Sequence, residues 1–126
     1  MNTPEDLHYT DEHEWIRQVG DSTVRLGITD YAQDQLGDVV YVELPESGRE
    51  VAKDDLLAEI ESTKSVGEVY APFAGTVTAV NDSVAENPEL VNSSPYDEGW
   101  LVEMEVSGEI DTSGLLDAAA YRELTE

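Results

Sequence analysis

Cysteine is absent from this chain of 126 residues, and basic side chains are scarce: six lysines and arginines stand against 29 aspartates and glutamates, a formal charge of −23. Without cysteine there is no disulfide framework, no thiolate zinc site and no thiol nucleophile. A field this negative repels phosphate backbones and anionic lipid headgroups, which sets aside nucleic-acid and membrane-surface partners. No apolar run approaches the ~20 residues of a membrane span. Met1 to Leu7 shows neither the basic start nor the apolar stretch of an export signal, so a cytoplasmic location is expected. Glycine-rich phosphate loops and a Ser-His-Asp order are also missing.

What is present is enough apolar residue for a core, 40% of the chain, in a pattern that alternates and turns as ordered chains do. The acidity is spread along the chain and not gathered in a tail. Self-repulsion on this scale costs stability at low ionic strength, and at molar salt a Debye length of about 3 Å removes most of that cost. The charge balance therefore points to a halophilic protein in a salt-rich cytoplasm. His8 and His13 flank Asp11 and Glu12, with Glu14 following, but this matches no zinc helix or calcium loop, and no metal site is expected. In a chain with 29 acids, carboxylate pairs such as Glu59 and Glu61 carry no information about catalysis, and no catalytic residue is assigned.

Length alone favours a single domain over residues 1–126. Trp15 to Val19 and Val24 to Ile28 alternate around Gly20-Asp21 and read as a hairpin. Thr29 can cap a short helix through Tyr31, Ala32 and Leu36, stopped by Gly37. Val40, Val42 and Leu44 are expected on one face of the next strand, which Pro45 ends. Leu56 to Glu61 and Val66 to Tyr70 form a second hairpin around Ser62-Thr63-Lys64-Ser65, with Lys64 at the tip. Val77 and Val80 open another strand, and Trp100, Val102, Met104 and Val106 mark a half-buried one. Leu116, Ala120 and Leu124, spaced i, i+4, i+8, predict a C-terminal helix over 112–124 capped by Thr112 or Ser113. Val42-x-x-Pro45-x-x-Gly48 recurs as Val69-x-x-Pro72-x-x-Gly75 on either side of the Lys64 hairpin. Two glycosylation-like triplets, at Asn81 and Asn92, are read as accidental in the absence of an export signal. The sum is a mainly β fold: a small antiparallel sandwich or flattened barrel with short helices, its core over about 22–106.

Lys64 is the informative position. As a plain turn lysine it would only be solvated. As a modification target it would offer one amine on a flexible stem above a rigid sheet. Four segments decide between these readings: Tyr9 to Arg17 with His13-Glu14-Trp15; Leu26 to Glu43 with Gly27-Ile28-Thr29-Asp30 and Gly37-Asp38-Val39-Val40; Glu61-Ser62-Thr63-Lys64-Ser65; and Val91 to Tyr96 running into Gly99-Trp100. In this order they closely resemble the glycine cleavage H-protein family of lipoyl carriers, over nearly the whole chain.

The resemblance implies a lipoyl-domain fold (a barrel-sandwich hybrid) and lipoate in amide linkage to Lys64. It implies a shuttle and not an enzyme: a pyridoxal-phosphate glycine decarboxylase loads an aminomethyl group, a tetrahydrofolate-dependent aminomethyltransferase takes the one-carbon unit, and a dihydrolipoamide dehydrogenase restores the disulfide. A lipoate ligase or lipoyltransferase is implied as the modifying partner. In the family the loaded arm folds back into a cleft, for which Glu14 is the first candidate contact and Glu12 and Glu68 are further ones. Glu14→Ala is accordingly expected to speed loss of the loaded amine. Tyr31 and Gln35 stand where relatives often have histidine, which excludes a helix-borne histidine here. The alternatives are another swinging-arm domain, a carrier that relays lipoate to other proteins, or an unmodified acidic docking module. Biotin is disfavoured because Thr63 and Ser65, not methionines, flank Lys64.

Overall fold

The computed structural model describes residues 2–125. Its first strands are β1 (His8–Tyr9), β2 (Glu14–Gln18) and β3 (Thr23–Ile28), followed by helix α1 (Asp30–Leu36) and strand β4 (Val39–Glu43). Next come β5 (Glu50–Val51), β6 (Leu56–Ser62), β7 (Val66–Tyr70) and β8 (Gly75–Val80). The chain finishes with α2 (Asp82–Glu86), α3 (Leu90–Ser93), β9 (Val102–Val106) and α4 (Ala118–Thr125). All strand pairings are antiparallel, in a six-stranded sheet ordered β1-β2-β3-β9-β8-β5 and a three-stranded sheet ordered β4-β6-β7. The mainly β expectation holds as two sheets, and these do not close into a barrel.

Alternation explains the layers. Val24, Leu26, Val102 and Met104 from the large sheet and Val42, Ile60 and Val69 from the small one share one buried cluster. Removing each such side chain from water contributes roughly 1.5–3 kcal/mol. A second cluster joins Leu7, Tyr9, Trp15 and Tyr96 to Ala118 and Tyr121 of α4. Trp15 is therefore a core residue, its Nε1 donating to the Pro95 carbonyl at 2.9 Å. Gly27 is its cross-strand partner, and a Cβ there would stand 2.9 Å from that indole nitrogen.

The Thr29 cap and the Gly37 stop form as the sequence requires: Thr29 Oγ1 accepts from Ala32 N, and Gly37 adopts φ +83. Three details differ from expectation. A register shift between Val39 and Tyr41 turns Val40 outward, 54% exposed, so Val40 does not share the buried face of Val42. The short helices α2 and α3, one on either side of Asn87-Pro88, are not among the elements placed from the sequence. The C-terminal helix begins at Ala118, not 112, because Leu116 is held extended in a two-way backbone bridge with Tyr9 and Asp117 Oδ1 takes the Ala120 N–H. Its buried face is then Ala118 and Tyr121, while Leu124 is 50% exposed.

The repeated Val-x-x-Pro-x-x-Gly pattern acquires a place in this topology. β4 and β7 are the outer strands of the small sheet, and each leads into the large sheet, through β5 and β8, which pair with one another. Both glycosylation-like asparagines have their amides committed. Asn81 Nδ2 donates to the Glu98 and Trp100 carbonyls, and Asn92 Nδ2 to Gln33 Oε1 and the Gly37 carbonyl.

Candidate functional site: the Lys64 hairpin and the adjoining cavity

The β6–β7 corner is built by one side chain. Ser62 Oγ accepts from Lys64 N at 3.3 Å and Ser65 N at 3.0 Å, and the Ser62 backbone N–H donates to the Ser65 carbonyl. The Thr63 N–H donates to the Asp38 carbonyl, which ties the tip to the turn after α1. Lys64 is exposed, and its aliphatic stem lies against Gly37: a Cβ on Gly37 would sit 3.3 Å from Lys64 Cε. Gly37 thus serves twice, as the left-handed stop of α1 and as the bare backbone over which the lysine passes. Asn92 holds that stop in place, giving hydrogen to the Gly37 carbonyl and accepting from Val39 N at 2.9 Å.

Leu36, next to Gly37 in sequence, belongs to the wall of a cavity of about 310 Å³. The apolar lining comes from Ile28, Ala32, Leu36, Ile60 and Val69, and the polar lining from Glu12, His13, Tyr31, Gln35 and Glu68. Two larger cavities, about 420 and 440 Å³, lie elsewhere; the first is lined by Leu56 to Glu59, at the end of β6 remote from the tip.

Glu12 and Glu68 therefore lie on one lining, together with Tyr31 and Gln35, while Glu14 does not. Glu14 lies behind that wall, 1% exposed, its Oε2 accepting the Tyr70 N–H at 2.6 Å and its Oε1 accepting the Thr10 hydroxyl at 3.2 Å. Burial pushes its carboxyl up to about 8 against the pull of the Tyr70 N–H, with Glu12 and Asp54 adding to the rise. Glu14 so braces β7 at the residue after Val69, and at neutral pH it is predominantly an uncharged acid. Partial burial and the neighbouring Asp11 and Asp54 also raise Glu12, while burial lowers His13 against the opposing pull of Asp11 and so favours the neutral ring.

Sequence reasoning left His13 and Tyr121 without a role. His13 adopts φ +67, a left-handed conformation uncommon outside glycine, and such a residue is a signal only once the backbone is known. No group of three or more acidic, histidine or cysteine side chains able to hold a metal occurs among the described residues. No helix among the described residues is long and apolar enough to cross a membrane.

The family model described as "Glycine cleavage H-protein" matches residues 7–126. The glycine cleavage system H protein of Nocardia farcinica is 55% identical, over 95% of this chain and 94% of that protein. That of Mycolicibacterium smegmatis is 57% identical, over 94% and 93%. Among solved structures, the glycine cleavage system H protein of Mycobacterium marinum superposes with a TM-score of 0.86 at 37% identity, covering 95% of this chain and 96% of that one. With the family model spanning nearly the whole chain and relatives above half identity, the chain belongs to the glycine cleavage H-protein family, whose members carry lipoate and are carriers rather than catalysts.

Proposed function

We propose that Lys64 is the residue on which this shuttle protein carries lipoate, and that the cavity beside it shelters the arm. The supporting observation is placement. Lys64 crowns the hairpin with its stem laid over Gly37, adjacent in the chain to Leu36 of the cavity wall. The residues fit the group. An apolar slot suits an aliphatic chain, two carboxylates suit a cationic amine at its end, and about 310 Å³ is at the small end of ligand clefts.

When attached, the dithiolane supplies reversible sulfur chemistry that a cysteine-free chain lacks. The chain's own residues do the rest. Ser62 fixes the tip backbone, so that motion is confined to the lysine stem and what it bears. Glu12 and Glu68 attract a cationic amine, an attraction that salt weakens wherever it is exposed to solvent. Ile28, Leu36, Ile60 and Val69 keep water from that amine, and Glu14 holds the wall through Tyr70. Glu14 acts on retention by shaping β7, so Glu14→Ala speeds loss of the bound amine.

Family membership implies the P, T and L components as partners: the decarboxylase, the aminomethyltransferase and dihydrolipoamide dehydrogenase. We assign a lipoate ligase or lipoyltransferase to Lys64 itself. Tyr41, Glu61 and Val66, opposite one another across the small sheet and all exposed beside the tip, give such an enzyme a surface to read. The charge of −23 supports a salt-rich cytoplasm as the setting. The test is intact and peptide mass spectrometry after reaction with a lipoate ligase. One lipoyl increment at Lys64 and none at Lys53 is expected; a bare Lys64 after a competent reaction would sink the reading.

A further inference from the structure

Tyr121 stands in α4, outside the cavity lining, yet its hydroxyl reaches two of the parts that shape the cavity. It lies 2.8 Å from His13 Nδ1 and 2.7 Å from Thr29 Oγ1. His13 is a wall residue, and Thr29 caps α1, the helix that contributes Tyr31, Ala32, Gln35 and Leu36 to the same wall. The Thr29 N–H also donates to the His13 carbonyl at 3.1 Å. The His13 ring is tilted on Tyr31 at 4.8 Å and meets Tyr121 edge-on at 5.7 Å.

Hydrogen bookkeeping fixes the direction of this chain. Thr29 is fully buried, so its hydroxyl proton has no water to turn to. Its oxygen already accepts the Ala32 N–H at 3.1 Å, and the Tyr121 oxygen is the one remaining partner in reach among the described residues. The Thr29 proton therefore goes to Tyr121. The Tyr121 proton is then left for His13 Nδ1, which must present a lone pair. That is the tautomer protonated on Nε2.

We propose that Tyr121 is a positioning residue for the cavity: the Thr29–Tyr121–His13 chain locks His13 as its Nε2–H tautomer and so gives the wall a hydrogen-bond donor beside the Glu12 and Glu68 carboxylates. On the carrier reading above, on which this part rests, that donor serves an acceptor group of the arm while the carboxylates hold its amine. Protonating Nδ1 would turn it from acceptor to donor and leave either the Tyr121 or the Thr29 hydroxyl proton without an acceptor, so the lock also opposes the imidazolium. Its lowered affinity for a proton, due first to burial and opposed by Asp11, runs the same way. The titratable groups around the ring are Asp11 and Glu12 on its own loop, Tyr31 of α1, Tyr121 of α4 and, on the shared cavity lining, Glu68 of β7.

Long-range proton–nitrogen NMR on the full, nitrogen-15-labelled chain at pH 7 tests the lock directly. The wild-type His13 signals should show Nε2 protonated and Nδ1 bare. Tyr121→Phe keeps the ring that stacks on Tyr9 at 4.7 Å and removes only the hydroxyl. In it, His13 should become a mixture of tautomers and titrate nearer its ordinary value. Thr29→Val should release the same bias, and Thr29→Ser should restore it, a split that a merely structural role for Tyr121 would not produce. An Nδ1–H tautomer in the wild type, or an unchanged tautomer in Tyr121→Phe, overturns the proposal. On lipoylated, amine-loaded protein, Tyr121→Phe should speed amine loss about fivefold, the equivalent of one hydrogen bond. If Lys64 accepts no lipoyl group, the carrier reading fails while the NMR outcome still decides the lock.

Discussion

Replacing Glu14 by glutamine should make the protein more stable, and more so the higher the pH. The carboxyl is 1% exposed and is pushed from an ordinary 4.5 up to about 8, chiefly by burial. An acid raised in this way is protonated in the fold and ionised in the unfolded chain throughout the interval between the two values. Stability is therefore fully present below pH 4.5, is lost as pH rises through the interval, and levels off above 8. With 1.36 kcal/mol per unit, the loss between pH 5 and 8 is about 3 kcal/mol. Glutamine keeps the oxygen that accepts from Tyr70 N, and Thr10 Oγ1 is within reach of its amide, so the variant loses the titration and keeps the brace.

Thermal unfolding followed by circular dichroism from pH 5 to 8, in molar salt, reads this out. The other 28 acids titrate in both proteins, so the quantity of interest is the gap between the two melting curves. At about 3–5 °C per kcal/mol for a chain of this size, that gap should widen by roughly 10 °C from pH 5 to pH 8. Parallel curves would refute the reasoning, because they would mean that Glu14 binds no more protons folded than unfolded.

Further outcomes follow from other contacts. Gly27→Ala should lower stability by about 1–3 kcal/mol in urea titrations, since its Cβ would press on a Trp15 ring that the Pro95 bond holds still. Asn92→Ala should cost about 1–3 kcal/mol by freeing the Gly37 carbonyl and the Val39 N–H, and amide exchange near Gly37 should quicken. Dilution from molar salt into low-salt buffer should lower the melting temperature, and an unchanged value would count against the salt-rich setting.

What could be read from the sequence was what is decided locally. The Lys64 corner follows from four consecutive polar residues between alternating runs, and α1 from a Thr cap and a Gly stop, so both are where the sequence places them. Elements decided by distant partners were not legible. The i, i+4, i+8 spacing of Leu116, Ala120 and Leu124 suggests a helix face, but Tyr9 claims Leu116 for a bridge and Asp117 resets the helix start. Val40 alternates correctly with Val42, yet the bulge beside it reverses its face. At the site, the resemblance ranks Glu14 ahead of Glu12 and Glu68, whereas only the latter two line the cavity; the sequence does not carry that difference, because burial of Glu14 behind β7 depends on a backbone 56 residues away. His13 and Tyr121 lie 108 residues apart, and nothing in either segment announces the other.

The carboxylates of this chain fall into two populations that answer to salt and pH in different ways. Glu43, Glu59 and Glu68 are directly opposite one another across the three strands of the small sheet, where like charges repel by about 0.2–1 kcal/mol per pair. Screening relieves that repulsion, but on the proposed carrier reading the same screening weakens the hold of Glu12 and Glu68 on a cationic amine, since both side chains are exposed. High salt thus steadies the sheet while loosening its electrostatic grip on a guest. What salt does not reach is the buried part: the uncharged Glu14 behind the wall, the apolar slot of Ile28, Leu36, Ile60 and Val69, and the Thr29–Tyr121–His13 chain. A carrier working in concentrated salt would have to retain its cargo by shape and buried hydrogen bonds more than by charge, and it is on those buried parts that the cavity wall is built.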